Sequence, residues 1–139
     1  MNIMKTHVPH NYAHIYRTNI VVEPIEKIIQ FNTHYINAKL AFDARITYAN
    51  VSDEGDKITN LLKRIPLSKI ITETNNPNTL PLNWSQGLLS TSGNPWNNIE
   101  VCHPGMVKAT VQMVSEIKEI PIEIVAQQTF KNVQFLYNL

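Results

Sequence analysis

The chain has 139 residues, a hydrophobic fraction of 43% and a charged fraction of 17%, the balance of one folded domain rather than of a disordered chain. Twelve Lys and Arg against eleven Asp and Glu leave a net charge of +1, so no global field draws it to nucleic acid or to an anionic membrane, and any such contact must be local. The single cysteine, Cys102, excludes an intramolecular disulfide framework and a cysteine-based zinc site. No apolar run approaches the ~18 residues of a membrane span, and the start Met1 to His7 has no apolar signal core. The expected location is therefore cytoplasmic.

Residues 1–23 are poorly patterned, with Tyr12, Ile15, Tyr16 and Ile20 scattered among His7, His10, His14 and Arg17. Only Ile20 to Val22 reads as a short strand. From Pro24 the period changes: Ile25, Ile28, Ile29, Tyr35 and Ile36 recur at helical spacings, which predicts an amphipathic helix over 24–34 with proline near its first position. Leu40, Phe42, Ala44 and Ile46 then alternate with Lys39, Asp43 and Arg45, the period-two pattern of a strand with one apolar face. Ser52 and Asp53 are good N-caps for a second helix, whose stripe of Ile58, Leu61, Leu62 and Ile65 is ended by Pro66. Lys69 to Thr74 is a short β-branched run with a polar end, as in a buried parallel strand whose carboxyl end faces a site.

This alternation of helix and strand points to βαβ units and a parallel sheet. Residues 75–103 follow as a polar loop rich in Asn, Ser, Pro and Gly that carries Trp84 and Trp96. Two helices close the chain. Pro104 opens one with Val107, Val111, Val114 and Ile117 on a face, and Pro121 opens the other, its apolar side formed by Ile122, Val125, Ala126, Thr129, Phe130 and Val133.

Four features could carry chemistry. His7, His10 and His14 stand at spacings of three and four, suited to zinc or copper on a helix, although Pro9 interrupts the segment and no carboxylate or thiol lies nearby as a further ligand. The strand end Glu73-Thr74-Asn75 is where α/β enzymes place ligands and bases, and it is equally the form of a strand running out into an Asn-rich turn. Trp84 and Trp96 could stack on bases of a single strand while Lys108 and Arg45 meet phosphates, or could plug the loop onto the sheet. Cys102 has only His103 beside it, and adjacent side chains diverge too far to act as a nucleophile pair.

The run Ile-Pro-Leu-Ser-Lys-Ile-Ile-Thr-Glu-Thr-Asn-Asn-Pro, residues 65–77, resembles the last barrel strand of TatD-type metal-dependent deoxyribonucleases, within the wider amidohydrolase-like group. His103 to Val107, Val114 to Lys118 and Ile122 to Thr129 through Asn132 to Leu136 are similar to that family's C-terminal helices, and Leu40 to Asn50 looks like its preceding strand and turn. The resemblance covers roughly residues 24–139 and implies an α/β fold, the C-terminal half of a partial TIM-like (β/α) barrel, since a complete barrel takes about 250 residues. It also implies hydrolysis of nucleic-acid phosphodiester bonds by divalent metal ions, Mg, Mn or Zn, held by a His-x-His pair, a Glu, two further His residues and the Asp of Glu-Thr-Asp.

Carried across by position, that ligand set is incomplete. No His-x-His occurs in the chain, and the family's Asp is Asn75, an amide that can touch a metal but cannot act as a general base. Counting back from Phe42, the next family His falls near Val21, and His14 is the nearest candidate ligand. The expectation is a TatD-related hydrolase fragment with impaired or no catalysis, holding a divalent metal only if catalysis is retained. The alternatives are a non-catalytic binding or scaffold protein of that descent, and a truncated product completed by a partner chain. DNA is the expected ligand. Leu40, Phe42, Ile46, Ile70 and Ile71 are expected to face an open half core, which would favour self-association.

Overall fold

A computed structural model describes residues 7–17, 23–48, 53–74, 80–81 and 102–139. Three parallel strands lie in sequence order: β1 (His14–Arg17), β2 (Ala38–Phe42) and β3 (Ile70–Thr72). Helix α1 (Ile25–His34) connects β1 to β2, and α2 (Asp53–Arg64) connects β2 to β3, the βαβ order read from the alternating periods. Helices α3 (Val107–Lys118) and α4 (Ile122–Tyr137) follow.

The register places Tyr16, Leu40 and Ile70 at one level of the sheet. Side chains alternate along a strand, so His14, Tyr16, Ala38, Leu40, Phe42 and Ile70 share the face that the helices cover. On it Leu40, Phe42 and Ile70 pack with Ile28 of α1, Ile58, Leu61 and Leu62 of α2, Val114 of α3 and Val125 of α4. Each such side chain removed from water contributes roughly 1.5–3 kcal/mol. The opposite face carries Ile15, Arg17, Lys39, Ala41 and Ile71.

The five residues expected to front an open half core are all buried within the chain: Leu40, Phe42, Ile46, Ile70 and Ile71. The alternation explains three of them, because Leu40, Phe42 and Ile70 point into the helix layer and not toward a barrel interior; Ile46 is buried in the 3-10 helix that follows β2, and Ile71 on the opposite face of the sheet. Exposure of these five therefore gives no reason for self-association.

Several element boundaries differ from the pattern reading. The run over Leu40 to Ile46 is not one strand with one apolar face. β2 stops at Phe42, all of its residues are buried, and Ala44–Tyr48 forms a 3-10 helix. Asp43 causes the break: its Oδ1 accepts the Arg45 backbone N–H at 2.9 Å and its carbonyl accepts Ile46 N–H at 3.1 Å, closing a turn where a strand would have continued. Lys39, polar in the pattern, is buried because its ammonium donates to Ser68 O at 2.7 Å. Lys69 lies in the 3-10 turn Leu67–Lys69 and donates to the Tyr35 and Ile36 carbonyls. Burial lowers both amines' pKa, and Lys39 lowers that of Lys69 further.

β1 falls within the segment read as unpatterned, whereas Ile20 to Val22 lies outside the described residues. Pro104 opens a short 3-10 turn, Pro104–Met106, before α3 begins. In α4 the buried line is Val125, Thr129 and Asn132, while Ala126 and Phe130, expected on the apolar side, are exposed. Asn132 turns inward because its Nδ2 donates to Leu67 O at 2.9 Å and Ile70 O at 2.6 Å, and its Oδ1 accepts from Gln128 at 3.0 Å. The helix is thereby locked to the start of β3 with Phe130 about 100° round from the buried line.

Candidate functional site

Parallel strands gather their carboxyl ends at one edge, and there the chain places Arg17, Asp43 and Glu73, in or just past β1, β2 and β3. Glu73 N–H still donates to Phe42 O at 2.8 Å, so the ladder holds both acidic positions side by side, with Cα atoms about 5 Å apart by ordinary strand spacing. Each carboxylate has its own guanidinium. Asp43, which is 5% exposed, accepts from Arg45 Nε at 2.9 and 3.0 Å and from Nη2 at 2.8 Å, in addition to the backbone bond. Glu73 accepts from Arg17 Nη2 at 3.2 Å. The register sets Ala41 between Arg17 and β3, and that small side chain leaves a path across the middle strand.

Helix α3 begins beside this edge, where Thr110 Oγ1 donates to Glu73 O at 3.4 Å. Cys102 is buried close to Asp43, and burial followed by that negative charge pushes its thiol pKa up. The thiolate is thus disfavoured, which argues against a nucleophilic role. His103 is exposed, and its Nδ1 accepts Gly105 N–H at 3.0 Å, capping the turn that leads into α3.

His14 stands elsewhere. It is the first residue of β1, level with Ala38, while Glu73 lies beyond the pair Phe42 and Thr72. That separation is five residues along the strands, about 16 Å. Its ring meets Phe31 and Tyr35 edge-on at centroid distances of 5.5 and 5.1 Å, on the helix-covered face. Nδ1 lies 2.9 Å from Tyr12 O, so Nδ1 carries the proton, and Nε2 is left buried without a partner among the described residues, as are Tyr35 OH and Asn32 Nδ2. The structure does not bring His14 to the strand-end acids. Asn75, Trp84 and Trp96 lie outside the described residues.

The model of the TatD-related DNase family matches residues 6–138. The chain belongs to that family. The match extends upstream of the segment that carries the sequence resemblance and takes in β1. This TatD-related chain is 27% identical over 143 residues to the human 3'-5' RNA nuclease TATDN2, with all of the chain but 16% of that protein covered. Its fold resembles that of YJJV, a TatD homologue from Escherichia coli, at a TM-score of 0.63 and 20% identity, and that of an amidohydrolase from Saccharomyces cerevisiae at 0.65 and 12%. Each likeness covers 90% of the chain and 40% of the other protein, so the TatD-related chain is a partial TIM-like barrel.

TatD-type folds are generally metal-dependent. The described part of the strand-end edge does not fit a metal centre: Asp43 is filled by three hydrogen bonds and an ion-pair contact from Arg45, Glu73 is engaged by Arg17, and no group of three His, Cys, Asp or Glu side chains suited to a metal occurs among the described residues. Sequence reading missed Arg17 as a site residue. The only signal was the four-residue alternation His14-Ile15-Tyr16-Arg17, too short to stand out as a strand.

Proposed function

We propose that the chain is a TatD-related hydrolase fragment whose phosphodiester chemistry is impaired or lost, acting in the cytoplasm on, or merely holding, single-stranded nucleic acid. The observation that carries this reading is the strand-end edge, where two adjacent carboxylates are each satisfied by an arginine. Hydrolysis by the family's route needs an acidified water held among several anionic or imidazole ligands. With Asn75 at the family's Asp position, the chain offers a neutral oxygen there. Trp84 and Trp96 remain the residues proposed to stack on bases, and His14 and Asn75 those proposed to touch a metal if one is held. DNA is the proposed ligand, and the RNA nuclease relative makes RNA the second probe.

A second reading follows from the 40% coverage of the structural relatives: a partner chain or a second copy supplies strands at the edges of the sheet and completes the ligand set. The test of impaired chemistry is Asn75→Asp. Restoring one carboxylate is expected to leave cleavage of single-stranded DNA and RNA at background with magnesium or manganese, since one anionic ligand does not replace several. Robust metal-dependent cleavage by this variant would mean that the remaining ligands are present in the chain, and the proposal would fall.

A further inference from the structure

From the strand-end geometry we infer that Arg17 takes the place of a divalent cation, holding Glu73 neutralised and closing that edge to metals. The inference rests on the siting of the functional edge given above, but its test reads binding and not cleavage, so the two can fail separately. Two acidic residues at neighbouring strand ends, with Cα atoms about 5 Å apart, favour positive charge beside them. A divalent ion and a guanidinium are competing ways to meet that need.

The two arginines meet it differently. Arg45 fills both oxygens of the buried Asp43 in a fork arrangement, supported by a backbone N–H two residues from the acid. Asp43 is thereby committed to the turn that ends β2. Arg17 reaches Glu73 from two strands away through one nitrogen at 3.2 Å, and its side chain is 75% exposed against 22% for the acid. A solvated pair held by one contact is the weaker one. Glu73 is accordingly the carboxylate that a cation could gain, and Arg17 the group it would have to displace.

The experiment is calorimetric titration of manganese chloride into the full chain and its variants. Wild type and Arg17→Lys, which keeps the positive charge, are expected to bind weakly and alike. Arg17→Gln is expected to bind on the order of tenfold more tightly, and adding Glu73→Gln to it is expected to abolish the gain. Because Arg17 is largely exposed, these substitutions leave the core intact. Arg64→Gln removes the same charge from the separate Arg64–Glu26 pair and controls for net charge. Unchanged affinity in Arg17→Gln, an equal gain in Arg64→Gln, or a gain that survives Glu73→Gln would each overturn the inference.

Discussion

Phe42→Ala is expected to destabilise the chain by about 3–5 kcal/mol, the usual cost of deleting a buried aromatic ring from a packed core. Phe42 is 2% exposed at the end of the middle strand, and it belongs to the cluster that joins the four described α-helices to the sheet. Whole domains are stable by only about 5–15 kcal/mol, so the loss is a large share of what holds the fold together. Urea denaturation followed by far-ultraviolet circular dichroism measures it. Phe130→Ala is the matched comparison, because the same ring stands 60% exposed on α4 and is expected to change stability by no more than about 0.5 kcal/mol. Equal losses at the two positions would contradict the placement of the core on the helix-covered face.

Asn132→Asp should cost on the order of 3 kcal/mol while changing almost no volume. The amide nitrogen donates to the Leu67 carbonyl in the 3-10 turn and to the Ile70 carbonyl at the start of β3, and a carboxylate would set a third acceptor against them in a position only 3% exposed. Asn132→Ala loses the same bonds and adds a small void, so the two variants should both fall well below wild type in urea midpoint. If instead both matched wild type, α4 would not be tied to β3 through this side chain.

Long periodic segments were legible in the sequence, because their burial follows from spacing alone: α1 and α2 lie where the stripes from Ile25 and Ile58 place them. The short β1 was not, since four residues are too few to set a period. At Ala44–Tyr48 the alternation misled, because one buried carboxylate captured a backbone N–H and turned the chain. Asn132 misled in the opposite sense: a polar residue turned inward because two carbonyls awaited it, and Phe130 was left outside. The strand-end acid Glu73 was legible from its motif. Its partner Arg17 was not, being 56 residues away and joined to it only by the register of the sheet.

The chain carries two strand-end carboxylates held by arginines, and an amide, Asn75, stands where the resemblance expects an aspartate. The most direct test of impaired chemistry is a time course of end-labelled single-stranded DNA and RNA with the purified wild-type chain and excess manganese. The expected rate is indistinguishable from that of buffer with manganese alone. Cleavage that co-purifies with the chain, rises with manganese and is abolished by chelator would contradict it.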